Sequence, residues 1–166
     1  MQKVATIAAS VAALALTAFA SNASAQTWAP VTDGWTLSGN LNVQQTLSLN
    51  CDVTGHAKTT SSNTGTIDAF NFVPGSSACA VLGENLPWSI APLAVGPSGG
   101  KGVRITLSVT ALFTTCAGYV DGDYDNAGTI SFPVGSQVMG GGSTCYLDGE
   151  VVLTPDHGNT QTLIIS

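Results

Sequence analysis

The chain has 166 residues, ten of them Asp or Glu and four Lys or Arg, for a formal charge of −6 at pH 7. That balance argues against nucleic acid or anionic lipid as a partner, since both demand a basic patch. With 8% charged residues beside 44% hydrophobic ones, the surface depends on hydroxyls and backbone rather than on ions.

The first segment carries Lys3, an apolar run over residues 4–20 and then Ala23-Ser24-Ala25. Charge, greasy stretch and small-residue site in that order predict a secretory signal peptide over residues 1–25, with the mature chain starting at Gln26. The apolar run is short for a bilayer span of about 20 residues, so no transmembrane segment is expected in the mature protein. No cysteine follows the cleavage site, which argues against a lipid anchor. Residues 26–166 are expected to form a single domain, large enough to bury a core of its own.

Beyond the leader, short runs alternate apolar and polar residues with a period of two, the pattern of strands with one face in a core. The clearest are 35–43, 46–53, 66–72, 103–110, 129–134, 145–153 and 160–165. Turn chemistry separates them: Thr32-Asp33-Gly34, Pro74-Gly75, the run 96–100, Asp121-Gly122 and Gly140-Gly141-Gly142. Regular short strands of this kind predict an all-β fold, an antiparallel β-sandwich or a barrel-like closure.

The four cysteines, Cys51, Cys79, Cys116 and Cys145, all lie in the mature part, and an even count in an exported chain reads first as disulfides. An internal similarity bears on how they pair. Leu47 to Cys51 precedes Gly65-Thr66-Ile67, Phe70 and Cys79, while Leu112 to Cys116 precedes Gly128-Thr129-Ile130, Phe132 and Cys145; the two cysteine intervals differ by a single residue. Two related halves, each closing its own bridge, predict Cys51 with Cys79 and Cys116 with Cys145, one of three possible connectivities.

Few constellations suggest chemistry. His56 and His157 are the only histidines. Asp156-His157 offers two members of a triad, but adjacent side chains on an extended chain point to opposite faces, and no Gly-x-Ser-x-Gly elbow is present. Zinc is disfavoured because the cysteines lack close pairs and the histidines lack ligand spacing. Asp121, Asp123 and Asp125 stand at alternate positions, as at the start of a calcium loop. The pattern departs where Asn126 replaces the sixth-position glycine and Phe132 the closing glutamate, so a solvent-facing hairpin turn competes with a calcium site. Gly96 to Gly102 with Lys101 superficially looks like a phosphate-binding loop, but the hydroxyl residue required after the lysine is Gly102. Trp28, Trp35 and Trp88 present aromatic faces suited to sugar rings or to an oily surface. Core packing competes for Trp35 and Trp88, whereas Trp28, near the mature end, is expected to be exposed. Trp28 and Trp88 are the candidate binding residues.

The run Leu49-Asn50-Cys51-Asp52-Val53, then Cys79 followed by Leu86-Pro87-Trp88, then Cys116, then Cys145-Tyr146-Leu147-Asp148-Gly149 resembles the PraB family of alkane oxidation protein activators. The similarity extends from about Trp35 to the end, and the acidic stretch 121–125 departs from it. The resemblance implies a small secreted bacterial protein, extracellular or periplasmic, that assists growth on hydrocarbons without being the oxidising enzyme. It implies contact with a hydrophobic substrate surface or with a cell-envelope component. No cofactor is expected, since the histidines and carboxylates form no set suited to oxygen-activating iron. Two alternatives stay open. One is a fimbrial or coat-type subunit that exchanges Thr162-Leu163-Ile164-Ile165 as a strand, against which Pro30 breaks the segment after Gln26. The other is a carbohydrate-binding module, resting on the tryptophans and the acidic loop.

Overall fold

A strand that alternates apolar and polar residues needs a partner surface for its apolar face, and a sheet of such strands can supply one by curling on itself. This chain does so. In the computed structural model, which describes residues 26–31, 34–45, 48–73, 79–111, 114–141, 144–156 and 161–166, the strands are β1 (Trp28–Ala29), β2 (Gly34–Gln44), β3 (Ser48–Ser61), β4 (Thr64–Val73), β5 (Leu82–Glu84), β6 (Trp88–Leu93), β7 (Gly102–Ala111), β8 (Thr114–Tyr124), β9 (Thr129–Phe132), β10 (Tyr146–Pro155) and β11 (Ile164–Ile165). The signal-peptide expectation and His157 lie outside the described residues.

Hydrogen-bonded neighbours run β2, β3, β4, β6, β7, β8, β9, β10 and back to β2, every pairing antiparallel. The all-β expectation therefore resolves as a closed, eight-stranded, up-and-down barrel. One edge of β7 is shared: β6 occupies it from Gly102 to Thr106, and the short β5 continues it from Val109 to Ala111. Closure removes the open edges that a sandwich leaves for another chain to pair with.

The inward positions carry the predicted apolar set. Trp35, Leu37, Leu41 and Val43 of β2 alternate with outward Thr36, Ser38, Asn40 and Asn42, and Val103, Ile105, Leu107 and Val109 do the same on β7. Phe70 packs its ring 5.3 Å from that of Phe72 and 4.7 Å from that of Trp88, filling the wall where β4 and β6 meet.

The two mouths of the barrel are closed differently. At one, which we term the stapled mouth, the β2–β3 and β7–β8 hairpins turn, and longer excursions follow β4 and β9. Disulfides Cys51–Cys79 and Cys116–Cys145 tie these excursions back to β3 and β8. This is the pairing that two related halves predict. At the other, the clasp mouth, the first and last segments meet: β1 pairs with β11, Trp28 opposite Ile165. Thr27 and Ser166 exchange backbone hydrogen bonds of 3.3 and 3.1 Å, Tyr124 Oη donates to Leu163 O at 2.5 Å, and Lys101 Nζ donates to Ile165 O.

Three expectations are corrected. Asp121-Gly122 is not a turn but the interior of β8, paired with Val103 and Arg104 of β7. Gly122 faces inward, and a Cβ there would lie 2.9 Å from the Phe132 ring, so the glycine marks a close approach rather than a reversal. The strand expected over 129–134 ends at Phe132, because Pro133 has no amide proton to continue the ladder. The terminal strand narrows to Ile164–Ile165.

Candidate functional site

Chemistry on a barrel has two places to sit, the lumen and the outside, and the lumen is settled by volume. A cavity within it measures about 20 Å³ and is lined by apolar side chains that include Leu41, Phe70, Phe72, Trp88, Leu107 and Phe132. A void of that size holds little more than one water-sized probe, about 10–15 Å³ on the same measure. Side chains, not ligand space, fill the interior.

The candidate aromatic residues belong to this packing. Trp28 is 2% exposed, which corrects the expectation that it lies open to solvent. Its ring meets Tyr124 edge-on, with centroids 6.3 Å apart, beneath the clasp. Burial, and secondarily the nearby Asp125 charge, raise the Tyr124 hydroxyl well above the ordinary tyrosine range. Trp88 is 4% exposed, and its indole N–H donates to Asn85 O at 3.1 Å and to Ser108 O at 3.2 Å.

The three alternating aspartates share the outer side of β8 and its turn but face separate partners. Asp121 takes a bidentate pair from Arg104 at 2.7 and 2.8 Å, and that guanidinium also lies 4.0 Å over the Tyr119 ring. The Asp121 hydrogen bond holds the Arg104 pKa above its usual value. Asp123 accepts from Ser98 N at 2.8 Å and from Ser98 Oγ at 2.6 Å, tying the 94–101 connection to β8. Asp125 accepts from Thr129 N at 2.7 Å and Ala127 N at 3.2 Å, which shapes the β8–β9 turn. Among the described residues, no group of three or more His, Cys, Asp or Glu side chains is arranged to hold a metal ion.

A cluster that the linear pattern leaves unseen sits on the outside near the clasp mouth. His56 of β3 places Nδ1 2.6 Å from Asp68 Oδ1 and Nε2 2.9 Å from Asp156 Oδ2. Lys58 Nζ lies 2.8 Å from Asp68 Oδ2, and Thr36 Oγ1 donates to Asp156 at 3.0 Å. The β3–β4 register shifts between His56 and Ala57, leaving Asp68 as the extra residue on β4, free to turn outward. The hydrogen bond to Asp68 is the chief cause of a raised His56 pKa, with burial opposing it and Asp156 adding to it. Asp68 is held down at about 2, first by Lys58 and then by His56. With both ring nitrogens on carboxylates, this imidazole offers no free nitrogen to a nucleophile, and the Thr36 hydroxyl donates to Asp156 rather than to the ring. The geometry is that of a fastener between β2, β3, β4 and the end of β10.

A family model described as alkane oxidation protein activator PraA/PraB-like matches residues 1–160. The chain belongs to that family. Membership in the PraA/PraB-like family names an activator of alkane oxidation, which accords with an accessory role. No curated protein and no solved structure gives a significant match to this PraA/PraB-like chain. No helix among its described residues is long and apolar enough to cross a membrane.

Proposed function

We propose that this PraA/PraB-like protein is an exported, non-catalytic accessory that assists bacterial use of alkanes by binding a hydrophobic surface or an envelope component with its exterior. The observation that carries the reading is the filled lumen. The apolar cavity between the barrel walls, about 20 Å³, has no room for a hydrocarbon chain, which favours contact with alkane on the outside of the molecule.

Other features support it. Two disulfides and no free cysteine among the described residues suit an oxidising compartment beyond the cytoplasmic membrane. The His56 cluster engages its imidazole at both nitrogens, which suits a structural role better than proton transfer. The fimbrial alternative gains no support from the terminal strand, because β11 pairs with β1 of its own chain and the eight-strand ring leaves no strand position to be filled by a neighbour. The carbohydrate alternative loses its aromatic platform with Trp28 and Trp88 in the core.

Deletion of the gene, with growth compared on long-chain alkane and on acetate, tests the proposal. Slower growth confined to the alkane is expected; equal growth of deletant and parent on both carbon sources removes the claim.

A further inference from the structure

The two strands of the clasp are held to the barrel in different ways. β1 and β11 form a two-stranded sheet apart from the ring. β1 is tied through its main chain to β3 and the turn after it: Trp28 N donates to Ser62 O at 2.5 Å, and Pro30 O accepts from Thr59 Oγ1 at 3.2 Å. β11 pairs with β1 on one edge, and on the other it meets side chains instead of a neighbouring strand. Ile165 N donates to Asn126 Oδ1 at 3.4 Å, Ile165 O accepts from Lys101 Nζ, and Leu163 O accepts from Tyr124 Oη. Water can replace each of these bonds at little net cost. Apolar burial is therefore what chiefly keeps β11 down.

The segment 161–166 contains no Asp, Glu, Lys or Arg. Leu163 and Ile165 are buried, with Trp28 directly opposite Ile165, while Ile164 between them is 45% exposed on the outer side. The segment is thus apolar on both faces. Closure also leaves a donor unmet: Trp28 Nε1 is buried with no acceptor among the described residues, which weighs against the closed arrangement.

We infer that residues 161–166 are the part of this protein that meets alkane, lifting from β1 at the surface of the liquid so that Leu163, Ile164 and Ile165 enter it and Trp28 is uncovered toward it. The inference rests on the surface-binding reading above and deepens it. A partner shifts a two-state element only as far as it prefers one state, and liquid alkane has that preference. In water, lifting exposes Leu163 and Ile165 and is opposed by the hydrophobic effect; against alkane the same side chains stay out of water. The Trp28 indole suits the boundary, with its ring toward the oil and its N–H toward water. Charge selects the occupant. A second copy of this chain or an anionic lipid surface is repelled by a formal charge of −6, whereas an uncharged liquid is not.

Drop-shape tensiometry at the n-hexadecane–water interface tests the assignment on the protein with its native disulfides intact. The readout is the bulk concentration that gives half the maximal surface pressure. Thr27 Oγ1 and Ser166 Oγ lie 2.8 Å apart, so Thr27→Cys with Ser166→Cys brings two thiols within reach of a bridge that locks β11 to β1. The lock is expected to raise the half-pressure concentration roughly tenfold. Tyr124→Phe with Lys101→Met frees Leu163 O and Ile165 O while leaving every strand pairing in place, and is expected to lower it roughly threefold. If the added cysteines mispair with native ones, this loosened pair decides alone. Should the unmodified protein fail to lower the tension, the surface-binding reading falls; should it adsorb while the locked and loosened forms behave identically to it, the role of 161–166 alone is overturned. A dimer that forms in water with the loosened variant and not with the locked one would give the segment to a second copy and overturn the alkane assignment.

Discussion

At the scale of single residues, the clearest consequence concerns His56. Its folded pKa is raised above 6.5 by Asp68 and Asp156, so protonation and folding favour each other. The sign follows: this contribution is fully present below pH 6.5 and is lost as pH rises through the raised value. With side chains 33–38% exposed, solvent screening keeps it within about 1 kcal/mol. His56→Gln should therefore flatten the fall of the thermal midpoint between pH 6 and pH 9, and an unaltered slope would remove the charge argument. Asp68 acts in the opposite sense, adding stability above pH 3.8 that is lost as pH falls toward about 2. None of this was legible in the sequence, because Asp68 and Asp156 lie 12 and 100 residues from His56 and only the barrel register brings them together. The tryptophans misled for a related reason. A short segment next to a predicted chain start reads as solvent-exposed, yet Trp28 lies under a strand from the far end of the chain.

At the scale of elements, strands whose alternation is uninterrupted were readable: β2, β3, β7 and β10 were all expected, with β3 extending to Ser61. β8 was missed because Asp121-Gly122 carries the local chemistry of a turn, whereas its glycine answers to the Phe132 ring of the neighbouring strand β9. β5 is too short to show a period, β6 alternates only over Trp88 to Ile90 before Ala91-Pro92-Leu93 interrupts it, and Leu86-Pro87 breaks the run between them. The disulfides were readable because they follow the repeat. They span 28 and 29 residues, so loss of loop entropy in the unfolded chain predicts nearly equal contributions, about 3–4 kcal/mol each. Cys51→Ser with Cys79→Ser, and separately Cys116→Ser with Cys145→Ser, should lower the urea midpoint by similar amounts. A large inequality would mean that the halves are not mechanically equivalent. The clasp gives a second expectation at this scale. Deleting residues 162–166 removes buried Leu163 and Ile165, about 3–5 kcal/mol of apolar burial, and uncovers Trp28. A red-shifted tryptophan emission should accompany the lower midpoint; an unshifted spectrum would place Trp28 elsewhere.

At the scale of the whole molecule, the closed ring separates this protein from barrels that carry a guest. A ligand bound only by the folded state raises the thermal midpoint through mass action. Saturating the buffer with dodecane should move the midpoint of this protein by no more than about 1 °C, since its interior is already full. A clear rise measured by calorimetry would show that the lumen opens and would redirect the search inward. The clasp also sets the polarity of anything grafted onto the molecule. Thr27 and Ser166 are paired on the side of the barrel away from the disulfides, so a fluorophore or bead joined after Ser166 would stand clear of the stapled mouth.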